Sequence, residues 1–227
     1  LIYFYFFISS AGITSSNDGS HFALANTIYY EHNVGVDEYL DTWIRWPDYA
    51  VKNDQLFSDR LPGNAFLMLP FISYSNFLKK IGIGTNIKNL PGKTGPISDN
   101  NFDIIMTILM ANLSGVIGLI MIFLLFKLFG FQTLISVVVT GFCSIATLIH
   151  HESSHLFSHA PSMALITTAV FLIIKAKKER SIKLLHVSIG IIAFSSIVEL
   201  QNLLLSLPVV IYFFAGQNRN KFSKIEL

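Results

Sequence analysis

The chain alternates between long apolar runs and shorter polar segments, and the apolar runs predict helices that cross a membrane. A crossing helix needs about 20 predominantly apolar residues. Three runs are long and apolar enough to cross, although the last is short: residues 104–126, 131–149 and 161–174 with its flanks. Two shorter runs, 184–198 and 203–214, predict a helical hairpin because the polar residues 199–202 separate them. The run 65–77 contains Pro70 and leaves open whether it crosses the membrane or lies in the interface.

The composition indicates the same class of protein. Hydrophobic residues make up 52% of the chain, charged residues make up 13%, and the mean hydropathy is +0.55. These values are typical of integral membrane proteins. Residues 1–13 are apolar but cover only about half a span, so we interpret them as the tail of a truncated first span. We therefore expect an all-α, polytopic transmembrane helical bundle that forms a single domain over residues 1–227.

Basic residues set the expected orientation, because lysine and arginine concentrate in cytoplasmic loops. The densest basic cluster lies at residues 175–183, and the next lies at residues 219–224. If both are cytoplasmic, residues 15–62 form a long first extracytoplasmic loop and residues 150–160 form a second one. The two polar segments are then expected on the same side of the membrane.

The first polar segment carries an acid where a helix is expected to start. Ser16-Asn17-Asp18-Gly19 is a cap-and-turn signature, with Asp18 as the N-cap. The same carboxylate, held at a membrane surface, could instead serve as a general base or a metal ligand. Further on, acids alternate with aromatic residues that suit interfacial anchoring or sugar stacking, among them Asp41, Trp43 and Trp46.

The second polar segment is rich in histidine. Four of the seven histidines lie within residues 150–159, and a neutral imidazole can bind a metal or donate to phosphate and sugar oxygens. His155 and His159 lie one helical turn apart, so we consider them candidate substrate ligands, with ordinary cap and headgroup contacts as the alternative. Glu199, in the polar break of the last hairpin, is a candidate for binding donor or acceptor, with a plain helix break as the alternative.

His151-Glu152-x-x-His155 also matches the motif of zinc metalloproteases, in which two histidines bind zinc and the glutamate activates water. Such a site needs a third ligand. On one straight helix His159 would lie about 12 Å from His151 along the axis, which is too far for both to bind one zinc ion. Glu199 is therefore the candidate for the third ligand. An intramembrane zinc metalloprotease is therefore an alternative function. A non-enzymatic membrane transporter is another, and it predicts polar residues spread along several spans.

The order of the pieces in the N-terminal third resembles a known family. An apolar run, an Asp-Gly at the head of a short helix, an acidic and aromatic stretch, and Ser58-Asp59-Arg60-Leu61-Pro62-Gly63 before an apolar helix follow one another. This order is similar to the GT-C superfamily of membrane glycosyltransferases, in particular the protein mannosyltransferase and aminoarabinose transferase-like group. The resemblance runs over roughly residues 1–215. By this resemblance, Asp18 matches the catalytic acidic residue, which acts as a base on the acceptor, Arg60 matches the residue that holds the donor phosphate, and His159 matches a second polar residue of the site.

The resemblance implies a GT-C type hexosyltransferase that moves a sugar from a polyprenyl- or dolichyl-phosphate donor to a protein, lipid or glycan acceptor. It also implies a multi-pass protein of the plasma membrane, in contact with membrane lipids and not with nucleic acid, whose active site faces the extracytoplasmic side. Asp18-Gly19 departs from the adjacent acids of many relatives, which leaves the metal requirement open. A divalent metal ion held by Asp18 and His159 is the candidate cofactor. Relatives are longer, so we expect the chain to be truncated at its C-terminus too.

Overall fold

The structure, a computed structural model, describes residues 1–10, 12–40, 44, 48–84 and 101–214. The aromatic and acidic residues Asp41, Trp43 and Trp46 and the basic cluster 219–224 lie outside these described residues. Within them the chain is mostly helical, which confirms the all-α class. The helices are α1 Ile2–Ile8, α2 Ser16–Asn26, α3 Gly63–Lys80, α4 Asn101–Leu128, α5 Thr133–Ala146, α6 Leu148–Ser153, α7 His159–Glu179, α8 Ile182–Val198 and α9 Gln201–Phe214.

A short β-hairpin is the exception that the apolar pattern did not predict. Strands β1 (Tyr49–Lys52) and β2 (Gln55–Ser58) pair antiparallel, with Tyr49 opposite Ser58. Asn53 and Asp54 join them with positive φ angles of 53° and 58°. Two left-handed residues in a two-residue turn match the twist of the paired strands.

Two of the described helices, α4 and α7, are long and apolar enough to cross a membrane by length and composition. Helices α5, α8 and α9 are apolar but shorter. The run 131–149 was expected to form one span, but α5 ends at Ala146. Thr147 takes an extended conformation there, and its hydroxyl accepts a hydrogen bond from the Ile149 backbone N–H over 3.2 Å. This local side-chain cap starts the separate helix α6.

The helices bury two apolar clusters, and α4 connects them. One cluster joins α2, α3 and the first half of α4, where residues 101–112 are almost all buried. The other joins α7 and α8 and includes Ile173 and Ile192. The second half of α4 packs on α7, with Gly118 facing Met163. The segment 15–62, which was expected to be a polar loop, is thus partly a packed layer, and α2 is buried from Asp18 to Asn26.

The start of α3 packs tightly against the end of α8. A Cβ atom on Gly63 would lie 2.5 Å from the backbone of Ile197 and Val198, which is too close for any other residue without a shift. The fully buried Asn64 also donates from Nδ2 to the Leu156 carbonyl over 3.2 Å. These contacts bring the turn that carries Arg60 beside the polar break after α8 and beside the histidine-rich segment.

Candidate functional site

Both polar segments and the α8–α9 break meet in one group of side chains, which we call the polar cluster. Its members are Asn17, His21, Asp48, Asp59, Arg60, Ser158, His159 and Glu199. The charges of Arg60, Glu199, His159 and Asp48 all act on the pKa of His21. Three of the predicted site residues, Arg60, His159 and Glu199, are therefore brought together.

Arg60 is held by acceptors on several sides. Its Nη2 forms an ion pair with Asp48 Oδ1, and its Nε lies 3.1 Å from Asp59 Oδ1. With the Asn17 amide oriented so that its oxygen faces the guanidinium, Nη1 and Nη2 both donate to that oxygen over 3.3 Å. Nε is buried and not aligned for a hydrogen bond with any described residue. The guanidinium has five N–H donors. Asp48 and Asn17 therefore fix it in place without using all of these donors, which leaves a donor for an anion.

The hairpin and α2 position this arginine. Ser58 Oγ, at the end of β2, accepts from the Arg60 backbone N–H over 3.1 Å. Ser20 on α2 lies 2.7 Å from that same hydroxyl and donates to the Asp48 carbonyl over 3.1 Å. Tyr49 at the start of β1 pairs with Ser58 at the end of β2. Asp48, just before β1, and Arg60, just after β2, therefore meet at the open end of the hairpin.

Glu199 and His159 form a second pair within the polar cluster. Their Oε1 and Nδ1 atoms are 2.5 Å apart. Ser158 Oγ donates to the same oxygen over 2.7 Å, and Gln201 Nε2 donates to Oε2 over 2.5 Å. Burial alone would raise the pKa of Glu199, but the hydrogen bonds from His159 and Ser158 outweigh burial, and the pKa is lowered. The carboxylate is therefore ionised and fixed.

His21 is the most buried member of the polar cluster. It is 2% exposed, and its Nδ1 atom has no hydrogen-bond partner among the described residues. Burial, reinforced by the Arg60 charge, lowers the pKa of His21 from 6.5 to about 3. The side chain is therefore neutral at physiological pH.

This shift predicts an acid-sensitive fold. Above pH 6.5 neither state binds the His21 proton, whereas between pH 6.5 and about 3 only the unfolded state binds it, so stability falls as the pH falls. We expect the wild type to lose about 1.4 kcal/mol per pH unit more than His21→Gln below pH 6.5. Thermal unfolding in detergent between pH 7 and pH 5 measures this difference. His32→Asn, at an exposed histidine, is the control, and equal pH slopes for wild type and His21→Gln would contradict the assignment.

Asp18 was predicted to be the N-cap of α2, and this position is wrong by three residues. Ser15 is the N-cap, and Asp18 is the third helical residue of a capping box. Its carboxylate accepts from the backbone N–H of Thr14 over 2.8 Å, from the backbone N–H of Ser15 over 2.7 Å, and from both hydroxyls of these residues. Asp18 is fully buried. Its catalytic role stays a prediction, and the geometry describes a structural cap.

The zinc motif is not assembled on one helix. Helix α6 ends at Ser153, so His151 and His155 do not share a regular helical turn. Their rings stack with centroids 4.3 Å apart, and His155 Nδ1 contacts the His151 carbonyl at 2.8 Å. Among the described residues no group of three or more His, Cys, Asp or Glu side chains could hold a metal ion. The ring of His155 instead contacts that of Phe157, which in turn contacts the ring of His159, with centroid distances of 5.7 and 6.1 Å.

The sequence did not indicate five of the eight members of the polar cluster as site residues: Asn17, His21, Asp48, Asp59 and Ser158. Asp48 had no recognisable signal of its own, because its pairing with Arg60 depends on the register of the hairpin. His21 was expected only as part of a helix, and its role depends on the tertiary burial of α2. The capping box did have a signal, since Ser15-x-x-Asp18 matches the Ser/Thr-x-x-Asp/Glu pattern.

No family model matches this chain, and neither the curated proteins nor the solved structures contain a significant match to it.

Proposed function

We propose that this protein is a membrane glycosyltransferase of the GT-C type, which transfers a sugar from a polyprenyl- or dolichyl-phosphate donor to an extracytoplasmic acceptor. The observation that carries the proposal is the fixed guanidinium of Arg60, whose charge acts on His159 of the His159–Glu199 pair. Arginine recognises phosphate oxygens through paired N–H donors. A cation for the leaving phosphate and ionisable groups for the acceptor proton are the two requirements of this reaction.

The apolar surface supports a membrane location for this site. Helices α4 and α7 have the length and composition of membrane spans. Helices α5 and α9 expose large apolar side chains, among them Leu134, Val138, Phe142, Leu204, Leu207 and Ile211. Exposed apolar surface of this extent favours contact with membrane lipids. A polyprenyl chain would lie along such helices while its phosphate reaches Arg60 at their polar end.

The test is sugar transfer from a radiolabelled polyprenyl-phosphate donor by membranes that contain the full-length protein. We expect Arg60→Gln to lower kcat/KM by about 100-fold, because the leaving phosphate loses its cation. Arg60→Lys should retain part of the activity, since it keeps the charge but not the paired donors. Arg180→Gln, at an exposed arginine that ends α7, is the matched control. No transfer by the wild type from any polyprenyl-phosphate donor, or equal activity of Arg60→Gln and Arg180→Gln, would contradict the proposal.

A further inference from the structure

The His159–Glu199 pair has the arrangement of an oriented general base. We propose that His159 Nε2 takes the proton of the acceptor hydroxyl and that Glu199 is its positioning residue, an inference that rests on the proposed glycosyl transfer. The Glu199 carboxylate lies 2.5 Å from His159 Nδ1, so Nδ1 carries the proton and Nε2 carries the lone pair. A base oriented by a carboxylate in this way recurs in unrelated enzymes.

The polar break holds the carboxylate rigidly. Glu199 is 9% exposed, and Ser158 and Gln201 each donate to one of its oxygens. Asn202, in the first turn of α9, connects this helix to both neighbouring helices. Asn202 Oδ1 accepts from Ser162 Oγ on α7 over 2.8 Å, and Asn202 Nδ2 donates to the Ser195 carbonyl on α8 over 2.9 Å. The position of the imidazole is therefore set by three helices rather than by a loop.

His159 is also accessible, in contrast to the other candidate bases of this region. Its side chain is 52% exposed, whereas His21 is 2% exposed. Asp48 is occupied by the Arg60 guanidinium. Asp18 is fully buried and engaged by the donors of Thr14 and Ser15, so it cannot accept a further proton without opening the start of α2.

The proposed step balances as a single displacement. The acceptor hydroxyl oxygen forms a bond to the anomeric carbon, and the bond between that carbon and the phosphate oxygen breaks. The bonding electron pair leaves with the polyprenyl phosphate, whose charge the Arg60 guanidinium neutralises. The hydroxyl proton moves to His159 Nε2, and Glu199 stabilises the imidazolium. The charged groups that act on His159 are Glu199, Glu152 and Arg60.

The experiment is the pH dependence of kcat for sugar transfer from a polyprenyl-phosphate donor by the full-length protein in membranes. We expect His159→Gln to lower kcat by about 100-fold or more, to abolish the acid limb of the profile and to change the donor KM by less than about 2-fold. Glu199→Gln should lower kcat by about 10-fold and move the acid limb to lower pH, because the imidazolium loses its carboxylate. Added imidazole should restore part of the activity of His159→Ala, a readout that a misfolded variant would not give.

His32→Asn, at an exposed histidine outside the polar cluster, is the control and should keep the wild-type profile. An unchanged acid limb in His159→Gln, with wild-type transfer and the Arg60→Gln defect both present, would overturn the assignment of the base alone. Loss of the acid limb in a folded Asp18→Asn protein, but not in His159→Gln, would move the base to Asp18. Absence of transfer by the wild type from every polyprenyl-phosphate donor would overturn the proposed function and the base assignment together.

Discussion

Asp103→Asn is expected to destabilise the fold by about 1–3 kcal/mol, because Lys79 and Tyr30 would lose the charged acceptor that they share. Asp103 is fully buried at the start of α4, and its Oδ1 atom lies 2.8 Å from Lys79 Nζ at the end of α3. Tyr30 donates its phenolic O–H to Oδ2 over 3.0 Å. Burial and the Asp103 charge raise the pKa of Tyr30, so the phenol remains a donor. The carboxylate therefore joins three separate segments of the packed layer.

Thermal and denaturant unfolding in detergent measures this effect. The double variant Lys79→Met/Asp103→Leu should recover part of the loss, because the Lys79 ammonium is then no longer left without its partner. Glu179→Gln is the matched control, since Glu179 pairs with Lys175 at 3.9 Å on an exposed helix face and such a pair contributes about 0.5 kcal/mol. A loss of stability in Asp103→Asn no larger than in Glu179→Gln would show that the pair does not hold α3 to α4.

The helices that could be predicted from the sequence are those whose signal is local. The apolar run 104–126 is long and uninterrupted, and α4 covers it with only a few residues more at each end. The run 161–174 likewise lies inside α7. The prediction of one span over 131–149 was wrong because the run contains Thr147. The hydroxyl of this single residue caps a new helix without interrupting the apolar pattern.

The polar cluster was only partly predictable, because its geometry depends on long-range packing. The Asn53-Asp54 turn is a local hairpin signal, yet only the observed register places Asp48 beside Arg60. The close approach of Gly63 to the end of α8 joins residues that are more than 130 positions apart in the chain. The family resemblance indicated Arg60, the histidine-rich segment indicated His159 and the polar break indicated Glu199, each as a separate candidate, whereas only the fold brings them together.

Asp18→Ala is expected to lower the stability of the protein by about 2 kcal/mol, because the backbone N–H groups of Thr14 and Ser15 would lose a charged acceptor that is itself fully buried. Ser15→Ala should cost about 1 kcal/mol, since it removes the N-cap but leaves the carboxylate in place. Unfolding of both variants in detergent measures the difference in stability. The fraction of folded protein is measured in the same samples, so that sugar transfer can be expressed per folded molecule.

The nearly isosteric variant Asp18→Asn separates the two roles of this residue. If Asp18 only caps α2, Asp18→Asn should lower stability, because the amide nitrogen would face donors while the amide oxygen still accepts. Sugar transfer per folded molecule should then fall less than about 10-fold. As the general base, which the resemblance to GT-C enzymes implies, Asp18 predicts an intact fold and a loss of transfer of about 100-fold or more. Transfer per folded molecule therefore decides between a carboxylate that organises the first turn of α2 and one that takes the proton, since a buried group with four donors around it cannot do both without opening that turn.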